Sequence, residues 1–202
     1  MSDSLPPPAK NQITALILAG GRGSRMGDVD KGLQAFRGQP MVAHVIERIA
    51  PQVAHIVINA NRNRDAYTAF GYPVVADDIA GFAGPLAGLH VGMQHVTTPL
   101  IATAPCDSPF LPVDLIARLL DAMQRHNADL SVANTGDQAH PVFCLTHTRL
   151  AAHLHDFLSS GQRKIDKWYA SLSVVEVAFA DESAFANINT PEELRAHEAT
   201  HR

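Results

Sequence analysis

Apolar residues along this chain fall into two kinds of run, and the two kinds alternate. Short unbroken runs read as buried strands, while apolar positions three and four apart read as one face of a helix. Ile13, Ala15, Leu16, Ile17, Leu18 and Ala19 form the first buried run. Pro40 opens a predicted helix over 40–50 with Val42, Val45, Ile46 and Ile49 on its apolar face, and Pro51 stops it. A second strand is predicted over His55–Asn59, a short helix over 64–70 closed by Gly71, and a third strand over 74–76. A glycine-rich loop at 81–88 leads into a helix over 86–95, followed by a fourth buried strand over 100–104. The helix predicted over 112–126 carries Leu115, Ile116, Leu119, Leu120 and Met123 on one side. Strands over 130–133, 142–145 and 174–179, helices over 147–159 and 164–170, and a last helix over 191–197 with Thr190 as its N-cap complete the reading.

Alternation at this spacing predicts an α/β fold: a Rossmann-like, three-layer α/β/α arrangement around a mostly parallel sheet. A length of 202 residues suits one substantial domain, here placed at 12–199 behind a flexible N-terminal tail at 1–11. Pro6, Pro7 and Pro8 lack backbone donors and favour an extended, solvated tail. Apolar residues make up 46% of the chain and charged ones 18%, enough for a real core and against wholesale disorder.

Charge narrows the class of ligand. A net charge of −4 argues against bulk binding to nucleic acid or an anionic membrane, so any anionic ligand must be met by local positive charge. Residues 20–37 supply it, with Arg22, Arg25, Lys31 and Arg37 against Asp28 and Asp30. Cys106 and Cys144 fit neither a disulfide framework nor a zinc spacing. With no signal peptide and no run of 18 apolar residues in view, the expectation is a soluble cytoplasmic protein without a membrane partner.

The candidate chemistry gathers where the strands end. In parallel sheets, ligands bind outside the carboxyl ends of the strands. The first four strands end in Gly20-Gly21, Asn59, Asp77 and Asp107. After the first, Gly20, Gly21, Gly23 and Gly27 are interleaved with Arg22 and Arg25 and followed by Lys31. Glycines let backbone N–H groups face phosphate oxygens, and the cations neutralise charge. Two familiar phosphate loops are excluded: no GK[ST] tripeptide exists, and Met26 stands where the third glycine of G-x-G-x-x-G belongs. Asp107, a lone carboxylate after a buried strand, suits Mg²⁺, which takes one or two carboxylates and completes its shell with phosphate oxygens and water. It is poorly placed to cap the next helix, since Pro109 and Pro112 intervene.

Four stretches together resemble the molybdenum cofactor guanylyltransferases, a branch of the nucleotidyltransferases. They are Leu18-Ala19-Gly20-Gly21 through Arg25-Met26-Gly27; Asp30-Lys31-Gly32; Asn59-Ala60-Asn61-Arg62 with Asp77 and Gly84-Pro85-Leu86-Ala87-Gly88; and Pro105-Cys106-Asp107 with Asn187-Ile188-Asn189-Thr190-Pro191-Glu192-Glu193-Leu194. The resemblance implies the nucleotidyltransferase fold, with GTP and a molybdopterin-type cofactor as substrates and Mg²⁺ as cofactor. It implies that the backbone of Leu18, Ala19 and Gly20 holds the guanine and ribose, that Gly21 lies near the phosphates, and that Lys31 and Arg25 face the triphosphate. Asn59 and Asp77 would contact the nucleotide, and Asp107 the metal. On the pterin side it implies His140, in a turn before a strand, together with Arg163, Asn187 and Asn189.

Plainer readings stand beside these. Lys31 and Arg25 can be surface cations, Asn59 a strand-end amide and Asp77 a helix N-cap. Arg163 can belong to a solvated helix face around Trp168, and Thr190-Pro191-Glu192-Glu193 can be a helix start and no more. A cytidylyl- or sugar-phosphate nucleotidyltransferase is the nearest alternative activity, and a non-catalytic nucleotide-binding carrier the alternative class. Completion of a labile cofactor implies handover to recipient molybdoenzymes or other cofactor-biosynthesis proteins, although no surface motif marks that contact.

Overall fold

The computed structural model describes residues 10–19, 30–78, 84–188 and 193. The central strand is β1 (Ile13–Leu18), buried on both faces as its mostly apolar run requires, with Thr14 the one polar residue in it. It is flanked in parallel by β4 (His55–Asn59) and β6 (Leu100–Pro105), and β5 (Val74–Val75) extends the sheet beyond β4. On the other side β8 (Gln138–His147) runs antiparallel to β6 and to β7 (Leu130–Thr135), and β9 (Val174–Ala178) pairs in parallel with β7. The order is β5-β4-β1-β6-β8-β7-β9, mostly parallel as expected. The reversal at β7–β8 follows from a two-residue turn, Gly136-Asp137, in which Gly136 has φ 55°.

Alternate residues of β1 point into two separate cores. Ile13, Ala15 and Ile17 pack with α1 (Met41–Ile49) and α4 (Leu115–His126). Leu16 packs on the opposite face with α3 (Pro85–His95), α5 (Ala151–Ser159) and α6 (Ile165–Tyr169), around the fully buried Trp168. This is the three-layer arrangement the alternation predicts. The short α2 (Arg64–Thr68) follows β4 and delivers Tyr67 to the α1–α4 side. No helix among the described residues is long and apolar enough to cross a membrane.

Three local departures from the predicted elements have physical causes. A small antiparallel pair, β2 (Ala35–Phe36) and β3 (Gln39–Pro40), precedes α1. Its turn puts Arg37 at φ 49° and Gly38 at φ 80°, and the Arg37 guanidinium lies 4.9 Å from the ring centre of Phe36. Second, His140 and Pro141 are not in a turn before β8 but inside it. The register slips between Val132, opposite Cys144, and Ala133, opposite His140, and this bulge accommodates a proline that has no N–H for the ladder. Third, Lys10–Gln12, at the end of the expected tail, form a 3₁₀ turn with Lys10 Nζ donating to the Pro51 carbonyl at 2.6 Å. The rest of that tail and the helix expected at 191–197, apart from Glu193, lie outside the described residues.

Candidate nucleotide site

The carboxyl ends of β1, β4, β5 and β6 are tied to one another by backbone. Ala19 N–H donates to the Asn59 carbonyl at 2.8 Å, Cys106 N–H to the Leu18 carbonyl at 3.1 Å, and Ala60 N–H to the Val75 carbonyl at 2.9 Å. Strand register therefore brings Leu18, Ala19, Asn59, Asp77 and Asp107 to one edge, with Lys31 joining them from the turn that follows β1.

Two polar groups form along that edge. In the first, the buried Asn59 donates its amide to Asp77 Oδ1 at 2.9 Å. Asn61 donates to Asp77 Oδ2 at 2.8 Å and accepts from the Asp77 N–H at 2.8 Å. Asp77 is thus held by two strand-end amides and does not cap α3, whose N-cap is Gly84. Gly88 makes the close approach of α3 possible: a Cβ there would collide with Asn59 Oδ1 and stand 2.7 Å from Leu18 Cδ2.

In the second group, Lys31 Nζ lies 3.3 Å from Asp107 Oδ2, with side-chain exposures of 23% and 13%. Burial pushes the Asp107 carboxyl above the usual carboxylate range, and Lys31 offsets only part of this. Lys31 belongs to a 3₁₀ turn, Lys31–Leu33, whose preceding residue is itself anchored. Asp30 accepts from Tyr67 Oη at 2.5 Å and from Asn63 Nδ2 at 3.0 Å. Asn63 and Tyr67 have no distinguishing signal in the sequence; only the asparagine's suitability for its left-handed position, φ 50°, could have drawn attention to it.

The candidate pterin-side residues separate into two places. Asn187 is bound through Oδ1 to Ser108 Oγ at 2.5 Å, and the next residue, Ile188, donates its N–H to the Asp107 carbonyl at 2.9 Å. A cavity of about 690 Å³ beside it is lined by Asn187, His140, Phe185, Glu182 and Gln138, among others. His140 stacks on Phe185 at 4.7 Å and 12° and shares a 2.6 Å hydrogen bond with Thr135 Oγ1. Its burial pulls the imidazole below the usual histidine value, which Glu182 partly opposes. Arg163 does not line this cavity. Its guanidinium donates to the carbonyls of Leu158 and Gln162, both at 2.6 Å, at the end of α5. Gly20, Gly21, Arg25 and Asn189 lie outside the described residues.

No group of three or more His, Cys, Asp or Glu side chains able to hold a metal ion occurs among the described residues. The donor set fits only an ion that shares its shell with a ligand. Asp107 offers such an ion a desolvated carboxylate compensated by one lysine.

Residues 15–176 match the family described as the MobA-like NTP transferase domain. A protein of Cupriavidus taiwanensis named molybdenum cofactor guanylyltransferase is 53% identical over 196 residues, 95% of this chain and 98% of its own. One of the same name from Bordetella petrii is 53% identical over 190 residues, covering 92% and 97%. The molybdopterin-guanine dinucleotide biosynthesis protein A of Archaeoglobus fulgidus superposes with a TM-score of 0.76 at 23% identity, over 93% of this chain and 97% of that one. A CMP:2-keto-3-deoxy-manno-octonic acid synthetase solved with CTP gives 0.69 at 15%, over 95% and 98%. The two structures share the fold, and the two sequence relatives go further: the chain belongs to the MobA-like NTP transferase family, among the molybdenum cofactor guanylyltransferases.

Proposed function

We propose that this protein transfers GMP from GTP to the terminal phosphate of a molybdenum–molybdopterin cofactor, releasing pyrophosphate and forming the guanine dinucleotide of the cofactor. The observation that carries this reading is the Lys31–Asp107 pair at 3.3 Å, one desolvated carboxylate and one cation at the end of β6, in a chain half identical to named guanylyltransferases. A metal carboxylate and a compact cation are what triphosphate chemistry needs and what a mere carrier does not.

The parts divide as follows. The attacking group is already a phosphate anion, so no general base is required, and His140 is not assigned one. Asp107 would hold Mg²⁺, which would supply positive charge against the triphosphate. Lys31 meets the phosphates and draws off negative charge as pyrophosphate leaves, and Arg25 and Gly21 are assigned to the same phosphates. The backbone of Leu18, Ala19 and Gly20 holds the guanine and ribose side of GTP; the Leu18 carbonyl itself is already taken by the Cys106 N–H. The Asn59–Asp77–Asn61 group holds the base or ribose beside them. The acceptor's pterin enters the cavity lined by His140 and Asn187, which adjoins Asp107 through Ser108 and Ile188. Arg163, on this reading, supports the helix beside it and not the substrate, and Asn189 belongs with Asn187. The free, buried thiols of Cys106 and Cys144 accord with a cytoplasmic setting, where the product passes to recipient molybdoenzymes or partner biosynthesis proteins.

Pyrophosphate release with molybdenum–molybdopterin as acceptor, run with GTP, CTP and ATP under Mg²⁺, tests the whole reading. Turnover with GTP is expected, lost in Asp107→Ala and lowered roughly a hundred- to a thousandfold, to a rate still measurable, in Lys31→Ala proteins that still fold. Tight CTP binding without GTP binding would turn the reading into a cytidylyl transfer.

A further inference from the structure

Tyr67 has no part in the roles just given, yet it stands at the back of the Lys31–Asp107 pair. Its side chain is fully buried. Its hydroxyl donates to Asp30 Oδ1 at 2.5 Å, while Asn63 holds the other Asp30 oxygen at 3.0 Å. A Cβ built on Gly32 would stand 2.5 Å from that same hydroxyl and 3.0 Å from Cys106 Sγ. The residue between Asp30 and Gly32 is Lys31, and the residue after Cys106 is Asp107. One phenol therefore bonds the residue before the lysine and fills the space where the residue after it would carry a side chain, a space bordered also by the neighbour of the carboxylate.

We propose that Tyr67 is a positioning residue for the transfer reaction: its hydroxyl fixes the Asp30–Gly32 turn so that Lys31 stays set against Asp107 and the triphosphate. The inference rests on the reading of Lys31 given above. A lysine is a point charge on a flexible four-carbon stem, so its aim depends on how firmly its backbone is held. Misplacement of a reacting group by about 1 Å can cost roughly a hundredfold in rate. Burial, Cys106 and Asp30 all push the phenol far above its usual pKa, so it remains a donor at any working pH. Gly32 is required for the same reason, because any side chain there would displace the hydroxyl.

A double-mutant cycle on pyrophosphate release distinguishes positioning from plain structural support. Tyr67→Phe is expected to lower kcat/KM by roughly ten- to a hundredfold with a melting temperature near wild type. In the Lys31→Ala background the same change is expected to cost less than about twofold, because the group it positions is gone. An undiminished rate in Tyr67→Phe, or an equal loss with and without Lys31, overturns the proposal while leaving the role of Lys31 intact. Full turnover in Lys31→Ala alone overturns the role of Lys31 and this proposal with it. Should Tyr67→Phe fail to fold, Asn63→Ala loosens the same carboxylate from the surface side. A smaller loss that again vanishes without Lys31 is then expected, and a loss independent of Lys31 counts against the proposal.

Discussion

Gly88 in α3 lies against Asn59 at the end of β4 so closely that a single methyl group would occupy the place of the Asn59 side-chain oxygen. The glycine sits in the second turn of a helix, where it costs about 1 kcal/mol relative to alanine. Close approach to a buried amide accounts for its presence despite that cost. Asn59 in turn holds Asp77 at 2.9 Å, so the packing of α3 and the aim of the Asp77 carboxylate are mechanically one feature.

Gly88→Ala should therefore do the opposite of what helix propensity suggests. The propensity gain of about 1 kcal/mol is set against overpacking, which costs about 1–3 kcal/mol when neighbours are rigid. Here the nearer neighbour is the Asn59 amide, buried and bonded to Asp77, whereas the half-buried Leu18 side chain can yield. The expected result is a lower melting temperature and GTP binding weakened roughly tenfold by calorimetry, since about 1.4 kcal/mol is a factor of ten. A more stable protein with unchanged affinity would refute the coupling of α3 to Asp77.

Much of this edge was legible in the sequence, for a topological reason. β1, β4 and β6 are mostly apolar runs that give way to polar residues, and parallel pairing aligns those ends, so Leu18, Asn59 and Pro105 sit side by side in the register. The two-residue strands β2 and β3 carry no periodicity, and their turn depends on a non-glycine residue, Arg37, at positive φ. His140-Pro141 read as a turn because proline usually interrupts a strand; the bulge opposite Val132 and Ala133 makes room for it. Tyr67 was illegible for a different reason. An aromatic on a short helix reads as core, and its hydroxyl's partner is 37 residues away.

Asp107→Asn separates stability from activity. Burial raises the Asp107 carboxyl above its unfolded value, so the native state holds that proton more tightly than the unfolded state does. Stability from this group is full at low pH and is lost as pH rises from the ordinary carboxylate range through the raised value. At neutral pH the ionised side chain is a liability that the asparagine lacks. Without Mg²⁺ or nucleotide, the variant should melt higher at pH 7, by on the order of 1 kcal/mol, and converge with wild type in acid, while releasing no pyrophosphate. A variant that melts lower at pH 7 would mean the Lys31 pairing outweighs the burial.

His140 titrates with the opposite sign. Burial lowers its folded pKa, so the unfolded chain takes up the proton first as pH falls. Stability is complete above the ordinary histidine value and declines as pH falls from there to the lowered value. His147, also pulled down by burial, adds to the same window. Melting temperatures measured from pH 7.5 to pH 5 should fall less steeply in His140→Gln than in wild type. An identical slope would place the acid sensitivity on His147 and other groups.

Arg163 provides the last contrast, between a charge that serves a substrate and one that serves a helix. Its Nη1 reaches the carbonyls of Leu158 and Gln162; Leu158 is in the last turn of α5, where the dipole favours a cation, and its carbonyl also accepts from the Gly161 N–H at 3.1 Å. That helix inserts Leu154 and Leu158 into the core around Trp168, so fraying it would loosen a buried cluster. Hydrogen bonds from a charged donor contribute about 1.5–3 kcal/mol when buried, and partial exposure here reduces this to about 1 kcal/mol. Arg163→Ala should lower the melting temperature by about 2–4 °C, the shift expected for that energy in a chain of this size. Turnover and the KM for the pterin acceptor should stay within about twofold of wild type, because the cavity at His140 and Asn187 is lined without it. A tenfold rise in that KM at unchanged melting temperature would restore Arg163 to the substrate side.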